Sequence, residues 1–182
     1  MTLHSSFHRL SMAAGATTIV GILAVGALAG PANVGHLEPP DVPTSIQVPA
    51  GNKLFLVAHA IGTQNYTCNG SGAWGPAVPS ATLYDDKGKQ IATHFVGPTW
   101  QYKDGSTVLG KKVAGATVTV DAIDWLLIQA VATTIGPANG DKFAETTYVQ
   151  RINTTGGLAP AGACVSGSTA SVPYTADYYF YR

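Results

Sequence analysis

The sequence predicts a single all-β domain, an antiparallel sandwich or partly closed barrel, held by one disulfide. Three observations carry that prediction. Short apolar runs at period two, bounded by Gly and Pro, recur from about residue 45 to the C-terminus. The chain holds 8 Tyr among abundant Thr and Val, residue types that favour pleated surfaces over helices. Its only 2 cysteines, Cys68 and Cys164, form an even pair.

In chain order the first element is a signal peptide over residues 1–29. Arg9 and two histidines make a short polar head, Met12–Gly30 is uncharged, and Ala27-Leu28-Ala29 puts small residues where a signal peptidase inspects. An uncleaved membrane anchor is the alternative, but Gly15, Gly21 and Gly26 with Thr17 and Thr18 leave the segment only mildly apolar. The mature chain is therefore expected to be secreted or periplasmic, with no membrane partner after cleavage. Residues 30–44 carry Pro31, Pro39, Pro40 and Pro43 and read as a linker, so the all-β domain is expected over 45–182.

Lys53–Ile61 is the first strand. Ala81–Asp85 and Lys89–Phe95 flank the turn Asp86-Lys87-Gly88. Thr99–Lys103 and Ser106–Leu109 flank Asp104-Gly105, which reads as a two-residue hairpin turn. Val118 and Val120 alternate with threonines. Trp125–Ala132 is apolar apart from Gln129 and suits a strand buried on both faces; a helix over Trp125–Thr134 is the weaker reading. Thr146–Asn153 and Val172–Tyr181 complete the set, and Gly136–Gly140 and Gly156–Gly167 read as loops. In an oxidising compartment Cys68 and Cys164 pair across roughly 95 residues, a closure worth at most about 4–5 kcal/mol. No CxxC spacing or adjacent histidine supports a redox or metal pair instead.

Charge excludes some partners. The chain has 10 Lys+Arg and 10 Asp+Glu, and loss of Arg9 with the signal leaves 9 against 10, a net charge of −1. Such a surface offers no field for nucleic acid. No cofactor is expected. Gly70-Ser71-Gly72-Ala73-Trp74-Gly75 matches the dinucleotide pattern, but Pro76 and Pro79 follow where a helix must begin.

The densest polar cluster runs from His94 through Trp100 to Asp104 and Ser106. It holds a base, an aromatic, a carboxylate and a hydroxyl. Turn chemistry with a solvent-facing histidine is the plain reading; a polar binding patch built on Trp100, or a hydrolase pairing His94 with Ser106 or Asp104, are the sharper ones. His59 shares a face with Phe55, Val57 and Ile61 and reads as a core histidine, or as half of a His59–His94 metal pair that no spacing enforces. Arg151 reads as partner to Asp177 or Glu145 at a half-buried seam, or as the anchor of an acidic ligand. Tyr174, Tyr178, Tyr179, Phe180 and Tyr181 put aromatics on both faces of the last strand, one for the core and one for stacking on sugars or a partner protein. Asn65, Asn69 and Asn153 head N-glycosylation sequons, which matter only in a eukaryotic source.

Several segments together resemble a known family: Gln64–Cys68 with Trp74, His94–Trp100 with Asp104–Ser106, Trp125–Leu127, Tyr148–Gly157, Cys164 and Tyr174–Tyr178. They are similar to an exported family of bacteria and fungi, domain of unknown function 3455, over roughly Ser45 to Arg182. Asp124 stands where that pattern places a proline. The resemblance implies export and one domain but supplies no catalytic roles. Some similar sequences carry a dehydrogenase label, against which the missing helix after the glycine run argues. The expectation is an exported, non-catalytic binding or surface protein for a small polar molecule, a glycan or another protein. Its candidate site residues are His94, Trp100, Asp104, Ser106 and Arg151, with no metal.

Overall fold

The computed structural model describes Met1–Leu3 and residues 37–182. The expected signal segment and the linker as far as His36 fall on residues 4–36, outside the described residues. Gly35–Arg182 forms one compact unit. It holds the eight strands of the described residues: β1 Leu54–Thr67, β2 Val78–Tyr84, β3 Gln90–Phe95, β4 Thr99–Tyr102, β5 Thr107–Ala116, β6 Trp125–Thr134, β7 Tyr148–Gly156 and β8 Thr169–Tyr181.

Every strand pairs antiparallel with its sequence neighbours, and β8 returns to pair with β1, so the sheet is a closed barrel. The β1–β8 seam runs from Leu54↔Tyr181 to Thr67↔Thr169, so neither the first nor the last strand is left as an edge. Up-and-down order gathers the β1–β2, β3–β4, β5–β6 and β7–β8 connections at one end, the mouth. The other connections form the base. Both short turns at the base are three-residue loops rather than the two-residue form expected at Asp104-Gly105. Gly88 N–H donates to Asp85 C=O and Gly105 N–H to Tyr102 C=O, with Gly88 at φ 72° and Gly105 at φ 86°.

The barrel interior follows from strand alternation. Ala58 and Ala60 of β1, Ala81 and Leu83 of β2, and Ala92 of β3 form a wall of mostly small side chains. Trp100 of β4 and Tyr174, Tyr178 and Phe180 of β8 fill the space this leaves, each burial worth about 1.5–3 kcal/mol or more. Gly110 makes room for the indole, since a Cβ there would lie 3.1 Å from the Trp100 ring. The base is plugged by Phe143 from the β6–β7 loop, stacked on Phe180 at 4.6 Å and edge-on to Tyr102 at 5.5 Å.

A second apolar layer lies outside the sheet. Val42 and Ile46, on either side of the start of a short 3-10 helix (Thr44–Ile46), bury against Leu127 and Ile152, with Trp125, Tyr148 and Tyr179 packed around them. Gln150 Nε2 donates to Ile46 C=O at 2.7 Å and itself accepts from Tyr181 OH at 2.7 Å. Ordered packing therefore begins before Ser45, within the proline-rich stretch. This strap explains why β6 is covered on both faces only as far as Ile128, not through Ala132 as expected: beyond the strap, the residues from Gln129 onward are exposed or half-buried although Ala130, Val131 and Ala132 are apolar. It also corrects the reading of Tyr179 and Tyr181. They face outward but are covered by the strap side, so they form no open stacking platform. Val118 and Val120 are not in a strand. Ala116↔Trp125 already ends the β5–β6 ladder, so no neighbour remains for them to pair with.

Cys68 and Cys164 are disulfide-bonded, with Cα atoms 5.9 Å apart across a separation of 96 residues. The bridge ties the β1–β2 loop to the β7–β8 loop at the mouth. Backbone bonds flank it, Cys68 N–H to Ser168 C=O at 2.8 Å and Cys164 N–H to Gly72 C=O at 3.0 Å. The Gly70–Gly75 run opens no helix. Asn69 Oδ1 accepts from the Ser71 and Ala73 N–H groups and folds the run into a turn.

Candidate functional site

The mouth of the barrel encloses a cavity of about 410 Å³. Inward parity on five different strands brings together Gln64 (β1), His94 (β3), Trp100 (β4), Arg151 (β7) and Tyr178 (β8). Leu126 and Ile128 of β6 make an apolar wall. The Pro76–Pro79 and Val96–Pro98 segments form the rim, with Lys112 beside them.

Three of the five residues singled out in the sequence meet here: His94, Trp100 and Arg151. Asp104 and Ser106 do not, because they belong to the β4–β5 turn at the base. Ser106 Oγ donates to Asp104 Oδ1 at 2.6 Å and accepts from Phe143 N–H at 3.0 Å, while Lys142 N–H donates to Asp104 Oδ2 at 3.0 Å. Their polarity is used to pin the aromatic plug. Partial desolvation pushes the Asp104 carboxyl up, but the bonds from Ser106 and Lys142 outweigh it and hold the group below its ordinary value.

His94 is 3 % exposed and lies inside the barrel, not on a solvent face. Its ring stacks on Trp100 at 4.3 Å with 4° between planes, and Tyr178 meets both rings edge-on. Nδ1–H donates to Thr99 C=O at 2.9 Å, which leaves Nε2 with the lone pair. Burial pushes His94 down to about 3, with the Arg151 charge acting in the same direction, so the ring is neutral at physiological pH. The Tyr178 hydroxyl is pushed up by burial.

Arg151 departs from the seam reading. Asp177, opposite Ile152 in the β7–β8 ladder, faces outward, and Glu145 pairs with Arg182 at 3.9 Å. The guanidinium instead donates through Nε and Nη2 to the Asp124 backbone carbonyl, at 3.1 and 2.9 Å. Among the described residues no carboxylate lies within ion-pair distance of it. Asp124 thus has a role in the loop before β6: its carbonyl orients Arg151 and its carboxylate accepts from Thr117 Oγ1 at 2.8 Å.

Two buried donors at the site are unused. Gln64 is 2 % exposed and Trp100 is 0 % exposed, yet Gln64 Nε2 and Trp100 Nε1 have no hydrogen-bond partner among the described residues. A buried unpaired N–H costs about 1–3 kcal/mol, and these two belong to residues that line the cavity; Trp125 Nε1 and Thr146 Oγ1 are likewise unpartnered, away from it.

Residues 49–182 match the family model described as protein of unknown function (DUF3455). The chain belongs to that family. No curated protein and no solved structure matches it. The matched span of this DUF3455 chain covers the whole barrel, the mouth and both cysteines, whereas the buried strap residues Val42 and Ile46 precede it.

Elsewhere on the DUF3455 barrel, His59 is corrected from a core residue to an outer one. The β-bulge between Leu54 and Leu56 separates Phe55, which packs on the core, from Val57, His59 and Ile61, which face out. His59 stands between two carboxylates, with Nδ1 2.6 Å from Asp177 Oδ1 and Nε2 2.9 Å from Asp86 Oδ1. Bonds to Asp86 and then Asp177 raise its pKa above the ordinary value. Asn153, at φ 50°, donates to the other Asp177 oxygen at 2.8 Å. His59 and His94 lie on opposite faces of the sheet and cannot share a metal ion.

Sequence reasoning missed Gln64 and Lys112 as site residues. Gln64 has the inward parity of Ala58 and Ala60, and extending the first strand beyond Ile61 exposes it as a polar residue on the core face. Lys112 likewise has the parity of Val108 and Gly110, but the expected strand stops at Leu109, short of it.

Proposed function

We propose that this chain is an exported, non-catalytic binding protein that seats a small molecule in the mouth of its barrel. Export is supported by the signal-like N-terminal sequence and by a disulfide, which persists in oxidising compartments. The observation that carries the binding reading is the pair of buried, unpartnered donors, Gln64 Nε2 and Trp100 Nε1, on residues lining a cavity of about 410 Å³. A cavity of that size suits a small molecule rather than a folded protein partner. The hydrolase alternative needs His94 against Ser106 or Asp104, yet His94 bonds Thr99 and Ser106 bonds Asp104 and Phe143.

The test is a ligand-observed NMR screen of the purified chain against a mixed library of neutral, acidic and basic fragments. Gln64→Leu/Trp100→Phe is the comparison, because it removes both donors while replacing the amide by an apolar side chain of similar size and the indole by a smaller aromatic ring. Hits that weaken about tenfold in the double variant are expected, two lost hydrogen bonds being worth at least that. A screen without hits, or hits indifferent to the double variant, overturns the proposal.

A further inference from the structure

We infer that the occupant of the barrel mouth is a small organic acid, an anionic head on an apolar body, with its head at Arg151. The inference deepens the binding reading above and rests on it. Four observations point the same way.

Of the buried unpartnered groups among the described residues, the two on cavity-lining residues, Gln64 Nε2 and Trp100 Nε1, are both N–H donors, so a partner for them would be an acceptor. Two cations line the cavity, Arg151 and Lys112, and among the described lining residues there is no Asp or Glu. The Arg151 guanidinium is already fixed through Nε and Nη2 by the Asp124 carbonyl. A neutral carbonyl holds it without cancelling its charge, so a preset cation remains for an incoming anion. Lys112, exposed at the rim, is only loosely balanced by Asp124, with Nζ 3.8 Å from Oδ2. The remaining surface is apolar: Leu126 and Ile128 on one wall, Pro76, Pro79 and Pro98 at the rim. Such walls favour a hydrocarbon body and disfavour a sugar, whose hydroxyls would lose water without replacement.

His94 completes the selection. Held neutral by burial, it adds no third positive charge to those of Arg151 and Lys112.

The experiment is calorimetric titration of the purified chain with three ligands of one chain length: octanoate, octanol and octylamine. Octanoate is expected to bind at least about tenfold more tightly than either of the others, the scale of one charge-assisted pair. Arg151→Gln should bring octanoate to the octanol level and leave octanol unchanged. Lys112→Gln, a surface change that spares the fold, should weaken octanoate by about two- to fivefold, and it decides the matter if Arg151→Gln does not fold. Octanol or octylamine binding as tightly as octanoate overturns the acid assignment and leaves the binding site standing. So does failure of all three when the fragment screen yields mouth-directed hits. Failure of all three together with an empty screen overturns both readings.

Discussion

Acidification should destabilise this barrel through His94 long before its carboxylates protonate. In the folded chain burial holds the ring at about 3, whereas the unfolded chain has the ordinary value of 6.5. Between those values the unfolded state takes a proton that the folded state refuses, so stability is full above pH 6.5 and falls as pH drops toward 3. At about 1.4 kcal/mol per pH unit, the gap amounts to about 5 kcal/mol in total, of which about 3 kcal/mol is lost by pH 4.5. His59 acts in the opposite sense. Its folded pKa is raised, so its contribution is fully present below pH 6.5 and is lost as pH rises through the folded value. The comparison must therefore isolate one histidine. Urea unfolding followed by tryptophan fluorescence, at pH 7.5, 6.5, 5.5 and 4.5, is to be run on the wild type and on His94→Gln. The variant keeps a polar group near Thr99 but cannot titrate. The wild type should lose about 3 kcal/mol more than the variant between pH 7.5 and 4.5. Parallel curves would refute the claim that His94 is buried in the neutral form.

Three further outcomes follow from the same geometry. Gln64→Leu should leave the unliganded melting temperature unchanged or raise it, a gain of up to about 1–2 kcal/mol, since the amide nitrogen it removes is unpaired; a loss above about 1 kcal/mol would show that the amide is already satisfied. Replacing Cys68 and Cys164 by Ser should cost about 2–5 kcal/mol in thermal or urea unfolding and also weaken ligand binding, because the rim residues Pro76–Pro79 follow directly from the stapled loop; an unchanged melting temperature contradicts this. Gly62→Val should destabilise by about 1–3 kcal/mol or more, because a Cβ at Gly62 would sit 2.5 Å from Ala81 Cα on the paired β2 strand; a variant that melts with the wild type would show that β1 and β2 do not approach so closely.

Much of the scaffold was legible in the sequence because it rests on local signals. Period-two alternation, glycine turns and an even cysteine pair yield strands and a disulfide without long-range information, and both are present. What local signals could not supply was closure. Whether the last strand returns to the first depends on β1 and β8 being long enough to pair from Leu54 to Thr67, and the expected first strand stopped at Ile61. The same truncation hid Gln64. The strap was hidden differently: proline density argues against regular structure, but Val42 and Ile46 need none to bury their side chains on β6 and β7. Of the site, His94, Trp100 and Arg151 were found as residue types suited to binding. Their meeting required knowledge of which face of each strand points inward. Asp104 and Ser106 shared the sequence neighbourhood of His94 but lie at the other end of the barrel, since β4 runs the length between them.

The most direct test of the mouth as a ligand seat is a nitrogen-15 NMR titration of the chain with octanoate, reading the tryptophan indole resonances. Trp100 and Trp125 both have a buried indole N–H without a partner, one beside the cavity and one under the strap on the outer face. Movement of the Trp100 indole and Gln64 side-chain amide signals, with Trp125 stationary, is the predicted result. Octanoate that shifts Trp125, or that binds while Trp100 and Gln64 stay still, would contradict the account.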